Sequence, residues 1–208
     1  MDKDKSIEQI NEIRRLMEGS SKFLSLSGMS GVSAGIIASL SSLLAYFLLY
    51  TDTSFRLISC SGSAAEEFRL NLILLAVITL GLALLAGAFF TYKKVQKRKE
   101  SLISRESIKL LSEIAVPLGT GGLVLAFLYY YGVFGLMAPL TLIFYGLALF
   151  TASKYTVNEI RYLALCEIVL GLCSLAFIGY GLLFWWIGFG LLHIIYGIFI
   201  HMKYDKNS

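Results

Sequence analysis

The sequence predicts an all-α fold, a polytopic transmembrane bundle of six helices arranged as three hairpins with both termini in the cytoplasm. Three observations predict it. Of the 208 residues, 57% are hydrophobic and 15% charged, whereas soluble domains carry about 25% charged residues. Mean hydropathy is +0.73, and so few polar residues cannot cover a water-soluble surface. The apolar residues gather into six long runs, and Lys and Arg fall almost wholly in alternate gaps between them.

The runs cover about 26–50, 70–92, 113–131, 134–152, 160–181 and 183–202, each near the roughly 20 residues that a bilayer crossing needs. They form one domain, 25–204, which leaves no room for a separate soluble one. The first 22 residues are polar and charged and do not read as a cleavable leader, so the first run is expected to act as the insertion signal. Sixteen of the eighteen Lys and Arg lie before run one, between runs two and three, between runs four and five, or after run six; the opposite side holds only Arg56 and Arg69. By the positive-inside rule the cation-rich side is cytoplasmic. Aromatic residues agree, with Tyr129, Tyr130, Tyr131, Trp185 and Trp186 at the outer boundary and Tyr92, Tyr155 and Tyr204 at the inner one.

Residues 1–24 read as a cytoplasmic, basic amphipathic helix. Ile7, Ile10, Ile13 and Met17 form one stripe, and Arg14, Arg15 and Lys22 lie around it. Such a helix lies on an anionic leaflet or docks a protein partner. The cations of 93–112 are assigned to lipid headgroups rather than to nucleic acid, because no recognition motif accompanies them. Residues 205–208 form a short tail.

Within the spans, small residues recur at helical spacing. Gly28, Gly31, Gly35, Ala38 and Ser42 make a stripe on run one, where Ser30 also sits; such stripes allow close helix approach in lipid. Run four carries Ala138, Thr141, Tyr145, Ala148 and Ala152. Run five carries Ala164, Glu167, Gly171 and Ser174, and run six Gly190, His193, Gly197 and His201. Pro117 is expected to bend or loosen run three. Tyr131-Gly132 and Lys154-Tyr155 recur as Tyr180-Gly181 and Lys203-Tyr204. This suggests that hairpins two and three are a tandem repeat; the alternative is that inner span ends favour Tyr and Lys as anchors on their own.

Glu167 and His193 are the candidate intramembrane polar site. Each lies roughly 10–13 Å from the inner end of its span at 1.5 Å per residue. An ionised carboxylate at the centre of a span costs about 2.5–3.5 kcal/mol even on the mildest scale, so it needs a proton, a partner or water. A Glu–His pair can pass a proton, bind a cation, or serve as an interhelical hydrogen bond.

Gly28-Met29-Ser30-Gly31 resembles the Gly-x-Ser-Gly of rhomboid intramembrane proteases, with His193 on the sixth span. In that family the serine opens a later span and faces outside, so a packing stripe accounts for the tetrapeptide better than Ser30/His193 hydrolysis does. No cofactor motif, phosphate-binding loop or metal-ligand pattern is present in the sequence. Cys60, Cys166 and Cys173 form no Cys-x-x-Cys pair.

The segment Glu12-Ile13-Arg14-Arg15-Leu16-Met17-Glu18-Gly19-Ser20-Ser21-Lys22-Phe23, continuing through Ser25-Leu26-Ser27-Gly28-Met29-Ser30-Gly31, resembles the start of a family of uncharacterised six-span bacterial inner-membrane proteins. The resemblance implies an inner-membrane location and no assigned activity. The expected role is a non-enzymatic sensing, scaffolding or regulatory component that contacts the bilayer, a protein partner at the N-terminal helix, or a second copy of itself. The alternative is a small-solute or proton/cation transporter using Glu167 and His193.

Overall fold

The computed structural model describes residues 27–49, 63–98 and 105–205. The expected N-terminal helix with Arg14, Arg15 and Lys22, most of the loop 51–69, part of the 93–112 link and the tail from 206 lie outside the described residues. The described chain is helical and contains no strand. Helix α1 spans Gly28–Leu49, α2 Ser63–Arg98, α3 Arg105–Tyr130, α4 Met137–Ala152 and α5 Glu159–Ala176. A final helical run follows: α6 (Gly181–Trp185), a wide π-type turn (Trp186–Leu192), α7 (His193–Ile200) and a second π-type turn (His201–Asp205).

Among the described residues, five stretches are long and apolar enough to cross a membrane: Gly28–Leu49, Glu66–Lys97, Ser107–Tyr130, Phe134–Ala152 and Ile178–Tyr204. Helix α5 is not among them. It is eighteen residues long and carries Glu159, Arg161 and Glu167. Helix α3 runs unbroken through Pro117, because a proline removes one backbone bond but the rest of the ladder persists. The last hairpin turns earlier than the sequence suggests. Helix α5 ends at Ala176, and the chain reverses through Phe177 and a 3-10 turn, Ile178–Tyr180. The two Tyr-Gly turns also differ in backbone. Gly132 has φ +72° and sits in the left-handed region, whereas Gly181 has φ −51° and begins a helix. Gly181 also packs against Ala138, where an added methyl group would fall 3.2 Å from its Cβ.

Packing runs in series. Helix α2 packs on α1, α1 on the final helical run, that run against α4 and α5, and α3 on the far side of α4. The α1 contact is made by backbone. A methyl group on Gly197 would fall 2.5 Å from the Val32 nitrogen and 2.8 Å from the Gly28 oxygen, and one on Gly28 would strike the His201 backbone. Gly28, Gly35, Ala38 and Ser42 are buried, and Gly31 is half-buried. On α4 the buried set is Pro139, Leu142, Gly146, Ala148 and Ala152, shifted from the expected stripe because α4 is covered on two sides. The outer faces of α2 and α3 carry exposed Leu84, Leu85, Val116 and Leu123, apolar surface of an extent that marks contact with something other than water.

One end of the bundle is tied by contacts that cross elements. Val157, Ile160 and Ile200 form a small core with Leu149 and Tyr204 against it. Lys203 Nζ donates to Glu159 Oε1 at 2.5 Å, and the Tyr204 hydroxyl donates to the same carboxylate at 3.0 Å. Burial pushes the Glu159 carboxyl up, but hydrogen bonds from Lys203, its own backbone and Tyr204 outweigh burial and hold it below 4.5.

Gly197→Ala is expected to destabilise the protein in detergent by about 1–3 kcal/mol through overpacking. Gly87→Ala, where nothing lies within 4 Å, is expected to be neutral or slightly stabilising; thermal melting of both variants checks the contrast. Because Glu159 is depressed in the folded state, its contribution is full above the unfolded carboxyl value and is lost as pH falls through the folded one. Amide protection at 198–205, corrected for the intrinsic exchange rate at each pH, is therefore expected to fall on acidification, and Glu159→Gln is expected to abolish that change in protection.

Candidate functional site

The centre of the bundle holds three polar side chains from three elements: Tyr145 of α4, Glu167 of α5 and His193 at the start of α7. Glu167 lies on the inward stripe of α5 with Leu163, Ala164, Gly171 and Ser174, all of them buried. Its exposure is 0% and that of His193 is 7%. His193 Nδ1 lies 3.5 Å from Glu167 Oε1 and 3.0 Å from the Gly188 carbonyl oxygen. Its Nε2 lies 2.7 Å from the Tyr145 hydroxyl.

The partners assign the imidazole proton. A carbonyl oxygen only accepts, so Nδ1 carries the hydrogen and donates to Gly188. In the neutral ring Nε2 is then an acceptor, and Tyr145 donates to it. The open lone pair of His193 therefore faces Tyr145, and any added proton enters the ring from that side. Glu167 is different. Among the described residues neither carboxylate oxygen has a hydrogen-bond partner, and the Ser174 hydroxyl, also fully buried, has none either. Such unsatisfied buried groups are rare in folded proteins and call for an explanation. The 3.5 Å gap to Nδ1 is slightly long for a hydrogen bond, so a shift of about half an ångström would make one.

The wide turn builds this geometry. Turns with i→i+5 bonds recur at functional sites, and this one brings the Gly188 carbonyl to the His193 ring. Gly188 also lets the Glu167 side chain pack directly on the turn, since a methyl group there would fall 2.5 Å from both Glu167 Oε2 and Leu142 Cδ2. Aromatic rings close one side: Phe189 stacks on His193 at 5.8 Å and meets Tyr145 and Trp185, each at 4.9 Å.

The structure thus brings Glu167 and His193 side by side and adds Tyr145 and Gly188. The sequence singled out neither of these as part of the polar site, although Tyr145 stands on the small-residue stripe of α4. Ser30 is not joined to the pair. Its hydroxyl donates to the Ser27 carbonyl at 2.5 Å, and both His193 nitrogens are engaged elsewhere. Gly28, Gly31 and Gly35 serve the α1 contact with the final helical run. His201 is half-buried beside Gly28.

The class defined by these features is a helical bundle with several candidate membrane-spanning helices and a buried polar centre. No family model matches the chain, and neither the curated proteins nor the solved structures contain a match to it.

Tyr145→Phe removes the donor to Nε2 and is expected to cost about 1–3 kcal/mol, the penalty for leaving a buried acceptor unpaired. Nitrogen chemical shifts of labelled histidine should show the Nδ1–H tautomer for His193 in the wild type. Finding the proton on Nε2 would contradict the assignment.

Proposed function

We propose that this chain is an integral protein of the bacterial inner membrane, without enzyme activity, that responds to protons through Tyr145, His193 and Glu167. Six helices cross the bilayer in this reading, with both termini and the cation-rich links in the cytoplasm and the basic N-terminal helix on the leaflet surface or against a partner. Helix α5 crosses with Glu167 turned inward and Arg161 at its cytoplasmic end. Its outward face below the first turn is Leu165, Val169 and Leu172, all exposed, and its eighteen residues span about 27 Å, close to the hydrocarbon thickness of about 30 Å.

The observation that carries the proton reading is the carboxylate of Glu167, wholly covered and without a donor, 3.5 Å from an imidazole. A bare negative charge there is expensive. Two arrangements remove the expense: the neutral acid beside neutral His193, or an ion pair with doubly protonated His193. Passing between them moves charge and hydrogen bonds within a packed core, which is how a local protonation biases helix packing. The close cover over Glu167 also favours a proton over a solute. The Glu167 carboxyl packs directly against Gly188, which supports the transporter reading in its proton-linked form.

Trp185 reports on the centre through Phe189. In a Trp186→Phe background, Trp185 emission is expected to titrate between about pH 5 and 8, and the step should move or vanish in Glu167→Gln and in His193→Gln. A flat emission profile, or a step unchanged by both substitutions, would refute the proposal.

A further inference from the structure

Where α4 hands over to α5, an open pocket of about 550 Å³ is lined by Ser153, Lys154, Asn158, Arg161, Tyr162 and Leu165. Its volume falls in the rough range of small-ligand sites, about 300–1,000 Å³. It lies on the opposite face of α5 from Glu167, and the proton-responsive centre does not use it.

Its charge is unbalanced. Among the described residues no carboxylate lies within 4 Å of Lys154 or Arg161, and the side chains of Lys154, Arg161 and Tyr162 make no hydrogen bond or ion pair. The nearest acid in sequence, Glu159, points to the other side of the helix and is already bound by Lys203 and Tyr204. The Arg161 guanidinium is held in place all the same, stacked 5.3 Å over the Phe150 ring, a contact that orients the group and leaves its N–H donors available. Ser153 spends its hydroxyl proton on the Phe150 carbonyl at 2.7 Å, so the donors left for a ligand are one ammonium, one guanidinium and one phenol. That set suits a phosphate group, which takes a fork from arginine and a point charge from lysine.

The surface next to the pocket favours one source of phosphate. Leu165 forms its apolar wall, and Val169 and Leu172 continue from it along the same face of α5, exposed at 57% and 54%. A polar, cationic pocket opening onto an apolar stripe matches a headgroup joined to an acyl chain. Basic pockets at the cytoplasmic ends of membrane helices bind anionic headgroups in this way. We propose that Lys154, Arg161 and Tyr162 bind the phosphate of an anionic phospholipid whose chain lies along Leu165, Val169 and Leu172.

The full-length protein in detergent would be titrated with phosphatidylglycerol, with phosphatidylcholine of the same chains, and with inorganic phosphate, and bound species counted by native mass spectrometry. Phosphatidylglycerol is expected to bind in preference to phosphatidylcholine. Lys154→Gln and Arg161→Gln should each weaken it about fivefold, and together about 25-fold. Leu165→Gln should weaken the lipid but leave inorganic phosphate unaffected. Inorganic phosphate that binds as tightly, with the same dependence on Lys154 and Arg161, would overturn the lipid assignment. Equal binding of the two lipids, or phosphatidylglycerol binding unchanged when Lys154→Gln and Arg161→Gln are combined, would overturn the site altogether. Melting curves confirm that each variant is folded, and Arg161→Lys, which keeps the charge but loses the fork, provides a milder variant.

Discussion

A carboxyl group with no exposed surface and no hydrogen-bond donor organises the middle of this protein. Glu167 can be accommodated only because the residues around it are small or neutral: Gly188 against one oxygen, Leu142 beside it, Ala164 and Gly171 along its own stripe. The wide turn before His193 belongs to the same arrangement. It brings the Gly188 carbonyl to Nδ1, fixes the imidazole tautomer, and so directs the free lone pair at Tyr145. The charge state of one residue is thereby linked to the hydrogen bonding of two other helices.

The surrounding architecture is asymmetric in how it is held. Glycine-to-backbone contact joins α1 to the final helical run, whereas α2 and α3 each lean on one neighbour and leave apolar faces uncovered. Without a hydrophobic drive between helices, close backbone approach is the usual source of helix association in lipid. At the end tied by Glu159, Lys203 and Tyr204, polar contacts replace it. The polar centre lies level with the glycine contact, His193 standing between Gly190 and Gly197 on the final run.

Much of this was legible in the sequence, for reasons that particular residues make plain. Gly28, Gly31, Gly35, Ala38 and Ser42 announce a contact face because small residues at helical spacing have no other use in an apolar run. Ala164, Glu167, Gly171 and Ser174 do the same for α5. Tyr145 was visible as part of a stripe but not as the partner of His193, since nothing local says which way a phenol points. The two wide turns could not be read, because their hydrogen bonds depend on neighbouring helices. The turn at Phe177–Tyr180 was hidden by its own apolar residues, which read as a continuation of the span. The three charges of α5 set it apart from the other long helices; its stripe places Glu167 inward, and the fold adds that Arg161 faces out.

The most direct measurement is an infrared spectrum of the reconstituted protein at neutral pH, with Glu167→Gln as the difference. The account predicts a band from a neutral carboxyl group, or from a carboxylate paired with doubly protonated His193, that is absent in the variant and slow to shift in deuterated water. A rapidly exchanging, fully hydrated carboxylate at Glu167 would contradict it.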